Sequence, residues 1–151
     1  EETLKASIAI AGGSRIYLED ILRRKPHQLH PETERALSAL SQTLNTPYQI
    51  YNMTKLADMK FDSFHANNKD YPLGYSLFED DYEYESDTQI RRSAFDAFSK
   101  KLAQYENTTA AAYNSQVQTE KTLATLRGFD SVFDSLLFDQ KVSRELYDRQ
   151  I

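Results

Sequence analysis

Cysteine and tryptophan are absent from the 151 residues, and glycine and proline number only four each. Without cysteine the chain can form no disulfide, no thiolate zinc site and no cysteine nucleophile, which fits a cytosolic protein. Valine occurs three times. With so little valine, glycine and proline, the chain lacks the raw material of an all-β protein. No apolar run exceeds four residues, so neither a signal peptide nor a membrane span is read from it. Catalytic signatures are missing too. There is no G-x-S-x-G, no phosphate-cradling glycine loop, no serine–histidine–acid arrangement and no H-E-x-x-H.

What is present favours helices. Leu, Ile, Val and Phe together make 34 of the 151 residues, supplemented by 14 Ala and 10 Tyr. That supply suits thin helix–helix seams, in which alanine lets backbones approach. The length suits one domain able to bury a useful core. Eighteen basic against 23 acidic residues give a net charge of −5. The basic clusters, Arg23-Arg24-Lys25, Arg91-Arg92 and Lys100-Lys101, each have acids nearby, which argues against nucleic-acid binding. There is no initiating methionine, and a helical pattern runs to Ile151. Both ends therefore lead to the expectation of a piece cut from a longer chain.

Along the chain, a first helix is expected over about 2–24, with Leu4, Ile8, Ala11, Ile16, Leu18 and Leu22 apolar. Gly12 and Gly13 weaken its middle by about 1 kcal/mol each relative to alanine, so a kink or break is expected there. Lys25-Pro26 ends it. A second helix begins at Pro31, which suits the first helical position, with Glu32 and Glu34 near the positive end of the dipole. Ala36, Leu37, Leu40 and Leu44 form its stripe. A third is expected from Thr46 as N-cap and Pro47, ending near Leu56. Then Met59, Phe61, Tyr71, Leu73, Tyr75 and Leu77 alternate with period two around the turn-prone "ANNKD". This predicts a β-hairpin within 57–77, pairing 57–64 with 71–77, and Pro72 puts the second strand at an edge.

Ser86 and Gln89 have the spacing of a capping box, and Ile90, Ala94, Phe98, Leu102 and Tyr105 follow in helical register. No proline or glycine intervenes before Gly128, a candidate stop after Arg127. A single helix over roughly 87–127 is therefore expected, about 60 Å long at 1.5 Å per residue. Either it bends back near Asn107 or Asn114, or it spans a body larger than this chain. The polar stretch 114–122 is expected to face solvent or a wet cleft. Two shorter helices follow, one with Asp130 as cap and Phe133, Leu136 and Leu137 inward, the other capped by Ser143. The fold class is mainly α, with one long helix and a small hairpin.

Candidate chemistry is sparse. His27 and His30 stand three apart and could share a metal ion, but Pro26 and Pro31 bracket them in a connector without a third ligand. His65 stands alone. Six acids crowd 79–87, yet the turn glycine of a calcium loop is missing. Tyr48, Tyr51, Tyr105 and Tyr113 read as rings packed in seams with wet hydroxyls.

Three phrases, "LEDILRRKPHQLHPETERALSALSQTLNTPYQIYNMTKLADMKF", "IRRSAFDAFSKKLAQYENT" and "LRGFDSVFDSLLFDQKVSRELYD", follow one another in the order and spacing of a known family. Over most of 15–151 the chain resembles oligoendopeptidase F, one of the thimet-oligopeptidase-like zinc metallopeptidases. The resemblance implies a mainly helical, clam-shaped, cytoplasmic enzyme that hydrolyses short peptides in an internal channel. It further implies a zinc site built on an H-E-x-x-H helix and a further glutamate, well C-terminal to the region matched. No catalytic, cofactor-binding or metal residue is therefore carried over to 1–151. On this reading 1–151 is the non-catalytic N-terminal region, walling the channel. Its partners are short peptides and the C-terminal catalytic domain of the same polypeptide, with neither nucleic acid nor membrane. The alternative is a stand-alone helical interaction module that dimerises through paired long helices.

Overall fold

The computed structural model describes residues 2–151, except for the side chains of Leu4 and Ala9; the place expected for Leu4 in the first stripe therefore lies outside the described residues. The described residues fall into two compact units, 2–41 with 118–151, and 42–117.

In the first unit, α1 (Glu2–Ile10) and α2 (Arg15–Arg24) are separated at the Gly12-Gly13 pair, as the weak helical propensity of glycine predicts. A 3-10 turn (Lys25–His27) follows. Next comes α3 (Pro31–Ala39), with Pro31 in its first turn. Ile16 is exposed, unlike the inward place expected for it. The C-terminal segments are the end of α7 (Glu106–Leu126), α8 (Val132–Gln140) and α9 (Arg144–Asp148). Gly128 has a φ of 72°. Its amide bonds the Thr125 carbonyl at 3.1 Å, and the Phe129 amide bonds that of Ala124 at 3.0 Å. This is the Schellman stop that a glycine at C′ permits. Ser131, one residue after the expected Asp130, caps α8 by accepting from the Asp134 amide at 3.1 Å. Ser143 caps α9 through the Leu146 amide at 3.2 Å. Of the three α8 residues expected inward, Leu137 is buried while Phe133 and Leu136 stay exposed.

The second unit begins within the short α4 (Ser41–Leu44). Thr46 is not the cap of α5 (Thr46–Met53): Asn45 holds that position, and the Thr46 hydroxyl donates to the Gln42 carbonyl. The helix continues through a π-helical turn over Thr54–Asp58. Strands β1 (Phe64–Ala66) and β2 (Lys69–Tyr71) pair antiparallel, Phe64 opposite Tyr71 and Ala66 opposite Lys69. The turn lies at Asn67 and Asn68, both with positive φ, a conformation asparagine tolerates. The strands are shorter than the expected 57–64 and 71–77. Met59 and Phe61 reach the interior from irregular backbone, and Leu77 already belongs to a second π-helical turn (Leu77–Asp81). Their period-two spacing marks side chains that turn inward without strand pairing.

The expected 40-residue helix is two helices, α6 (Thr88–Ala103) and α7, broken at Gln104 and Tyr105. There the amides of Gln104 and Tyr105 bond the carbonyls three residues back, Lys101 and Leu102, and the Tyr105 hydroxyl donates to the Asp58 carbonyl at 3.3 Å. Tightening to i→i−3 bonding interrupts the α-helix without glycine or proline. Asp87, not Ser86, is the N-cap of α6, its Oδ1 accepting from the amides of Gln89 and Ile90 at 2.8 and 3.3 Å. The core packs β1 on α6: Phe64, Ala66 and fully buried Ala94, with Tyr71, Leu73 and Phe78 against them. Phe98 stacks on Phe78 at 4.1 Å and meets Tyr75 edge-on at 5.3 Å.

Candidate functional site

Two places concentrate side chains that could meet a ligand, one in each unit. In the second unit, a three-residue spacing puts Tyr48 and Tyr51 on one face of α5. The helical stripe Thr109, Ala112, Tyr113 and Gln116 faces them from α7. Between them opens a groove of about 480 Å³. Ala112, nearly buried, forms its floor, and Glu106 in the first turn of α7 contributes its single charged group among the described lining residues. The rings are not packed away as the sequence reading expects. Tyr48 is 57% exposed, Tyr51 42% and Tyr113 73%. Tyr105 is half-buried at the α6–α7 break, where it performs the anchoring already described.

In the first unit a cavity of about 500 Å³ is bounded by the turn after α2 and by the segment joining α7 to α8. Arg127 grips Glu34 with two hydrogen bonds, 2.8 and 2.9 Å, and the Leu29 amide donates to the same carboxylate at 3.1 Å. These donors, Arg127 first, hold the Glu34 carboxyl at a pKa of about 2. His27 lies flat on Phe129, centroids 3.8 Å apart. Its Nδ1 is 2.9 Å from the Arg127 carbonyl; a carbonyl only accepts, so Nδ1 carries the proton. Beside them Arg23 sits 3.7 Å over the Phe138 ring and donates to the Phe138 carbonyl at 2.7 Å. Asp20 holds Arg23, Arg24 and Lys141, and hydrogen bonds from Arg23 and then Arg24 keep its carboxyl well below the usual range. In the lining, Arg127 is committed to Glu34 and Arg24 to Asp139, so this part of the wall is a brace.

The histidine pair flagged in the connector has separate work. While His27 bonds the Arg127 carbonyl, the His30 Nδ1 accepts from the Glu32 amide at 3.4 Å as the N-cap of α3. His65 pairs across the hairpin with Asp70 at 2.9 Å, with both side chains exposed. Zinc needs three convergent protein ligands, and the described residues contain no group of three or more His, Asp or Glu side chains able to hold a metal. The described residues therefore do not fit a zinc site. Of the acids in 79–87, Asp87 caps α6 and also accepts from Asn67 at 2.8 Å, and Glu85 accepts from the Asp87 amide and the Ser86 hydroxyl. Within 114–122, Gln118 is exposed while Gln116 and Glu120 are half-buried. No helix among the described residues is long and apolar enough to cross a membrane.

The tyrosine groove was not legible beforehand. Its sequence signal is the three-residue tyrosine spacing set against an alanine run at 110–112, which reads equally well as a closed seam.

Comparison with known proteins gives a consistent picture. The family profile described as Oligopeptidase F matches residues 1–61, and that described as Peptidase family M3 matches 81–150. The Oligopeptidase PepF of Bacillus subtilis is 25% identical over 135 residues, covering 89% of this chain and 20% of that protein. An Oligoendopeptidase F homolog of Borreliella burgdorferi is 30% identical over 137 residues, covering 91% of this chain and 22% of that protein. The chain thus spans about a fifth of the length of these curated relatives. Two crystal structures share its fold. A putative peptidase from Chlamydophila abortus superposes with a TM-score of 0.86 at 19% identity, over 99% of this chain and 25% of that one. An oligoendopeptidase-F from Enterococcus faecium gives 0.81 at 20% identity, over 98% and 28%.

Proposed function

Because the chain belongs to the oligopeptidase F members of peptidase family M3, we propose that it is the N-terminal, non-catalytic region of a cytoplasmic zinc metallopeptidase that hydrolyses short peptides. Family membership over a span only a fifth as long as the relatives carries this reading. Residues 1–151 wall the substrate channel and limit entry to peptides that fit inside, while zinc and its ligands belong to a catalytic domain elsewhere in the same polypeptide. The role of this chain is then to bind, orient and exclude, and no bond-breaking step is assigned to its residues.

Dimerisation through a long rod loses its motivation. The rod is two helices, and Ala94 and Phe98, which would have formed the pairing stripe, are buried within the second unit.

The test is to purify residues 1–151 and measure both bound zinc and hydrolysis of a quenched fluorescent peptide. Neither zinc nor turnover is expected, whereas a longer polypeptide that includes the H-E-x-x-H segment should show both. Stoichiometric zinc with turnover in 1–151 alone would overturn the assignment.

A further inference from the structure

Helix α5 is open on two sides of different chemistry. One side carries Ile50 and Met53, apolar and exposed. The other carries Tyr48 and Tyr51. Tyrosine has an apolar ring and a polar tip, so it tolerates water when a groove is empty and contacts an apolar guest when it is filled. That suits an occupant that comes and goes.

We propose that the groove between α5 and α7 holds the apolar side chain at the amino end of a short peptide, with Glu106 taking the peptide's ammonium group. This rests on the peptidase reading and specifies which peptides the chain favours. The volume of about 480 Å³ lies within the ~300–1,000 Å³ of small-ligand sites. Its floor at Ala112 lets a guest approach the α7 backbone closely. Its charge is of one sign. Glu106 forms no ion pair among the described residues, and no Lys, Arg or His lines the groove, so a peptide ammonium is matched and a peptide carboxylate is not. The carbonyl end of α6 and the amide end of α7 meet next to Glu106 and offset one another, leaving its carboxylate as the net local charge.

The experiment titrates isotopically labelled 1–151 with Phe-Gly-Gly, its N-acetyl form and Asp-Gly-Gly, following the Ala112 methyl and Tyr113 ring resonances. Phe-Gly-Gly is expected to give saturable shifts. Acetylation should weaken it about two- to fivefold, the range of one exposed ion pair. Glu106→Gln, a change at an exposed position that should leave the circular dichroism spectrum intact, should abolish the difference between free and acetylated peptide. Tyr113→Ala should weaken both about fivefold or more. The proposal fails if no peptide shifts these resonances, if Asp-Gly-Gly binds as well as Phe-Gly-Gly, or if Glu106→Gln leaves the amine preference unchanged. It fails too if the groove resonances shift with protein concentration alone, which would mean a second copy fills it. Failure here with zinc-dependent hydrolysis intact in the longer polypeptide removes only the groove. Peptide binding without any hydrolysis there removes the peptidase reading and leaves the groove standing.

Discussion

Glu34 and Arg127, 93 positions apart, meet side to side with two hydrogen bonds of 2.8 and 2.9 Å. The pair closes a loop of contacts within one unit. Arg127 Nη1 also donates to the His27 carbonyl at 3.2 Å, while His27 returns a bond to the Arg127 carbonyl. A planar guanidinium matched to a carboxylate fixes orientation as well as distance, so α3 is held in register with the C-terminal end of α7. Lysine offers no such fork.

This pair should make stability depend on acid. The Glu34 carboxyl is held at about 2 against an ordinary value of 4.5, by Arg127 and then by the Leu29 amide. A depressed folded value means the contribution is fully present above about 4.5 and is lost as pH falls toward 2. The difference in urea midpoint between the native chain and Glu34→Gln should therefore be constant from pH 7 to about 5 and shrink below that. A difference that grows on acidification would contradict the geometry.

The cap of α6 gives a second test, because neighbouring residues compete for the role. Asp87→Ala removes the acceptor for two amides and the bond from Asn67. It should lower the melting temperature by about 2–4 °C, the effect of losing a cap in a chain of this size. Ser86→Ala should change it by less than about 1 °C, because among the described residues the Ser86 hydroxyl bonds Glu85 alone and no amide of α6. Equal effects would restore the S-x-x-Q box read from the sequence.

The elements punctuated by special residues were readable in advance. The break at Gly12-Gly13, the start at Pro31, the stop at Gly128 and the cap at Ser143 each follow from local backbone chemistry, and so does the turn in "ANNKD". What escaped lacks a local cause. The break at Gln104 and Tyr105 contains no helix breaker; it goes with a tyrosine reaching the Asp58 carbonyl 47 positions away. Likewise, Met59 and Phe61 alternate like a strand because both turn toward the interior, and only the three-dimensional path shows that their backbone is unpaired. The groove was hidden for a third reason: tyrosines at helical spacing look the same whether their seam is closed or open.

Core packing on α6 predicts an asymmetry between alanines. Ala94 is fully buried against Phe64 and Ala66, so Ala94→Leu must displace rings and should cost about 1–3 kcal/mol. Ala111 is exposed on α7, and Ala111→Leu should stay within about 0.5 kcal/mol. Urea unfolding of the two variants measures both. Equal costs would mean that the β1–α6 seam is looser than its burial implies.

Lys141 poses a sharper contest between two small effects. It ends α8 in the left-handed region at φ 58°, where the Val142 amide bonds the Leu137 carbonyl at 3.0 Å and the Lys141 amide bonds that of Phe138 at 3.1 Å. This is the same stop that Gly128 makes for α7, but built with a side chain that disfavours the conformation by roughly 1–2 kcal/mol. Its ammonium lies 3.2 Å from Asp20, an acid already held by Arg23 and Arg24. An exposed third partner adds at most a few tenths of that amount, so relief of strain outweighs the lost pair. Lys141→Gly should therefore stabilise the chain by about 1 kcal/mol, whereas Lys141→Ile, which keeps the strain, loses the charge and adds a β-branch, should destabilise it. Measuring both by urea unfolding separates backbone from charge. If glycine destabilises as much as isoleucine, the ion pair with Asp20 is the stronger of the two effects.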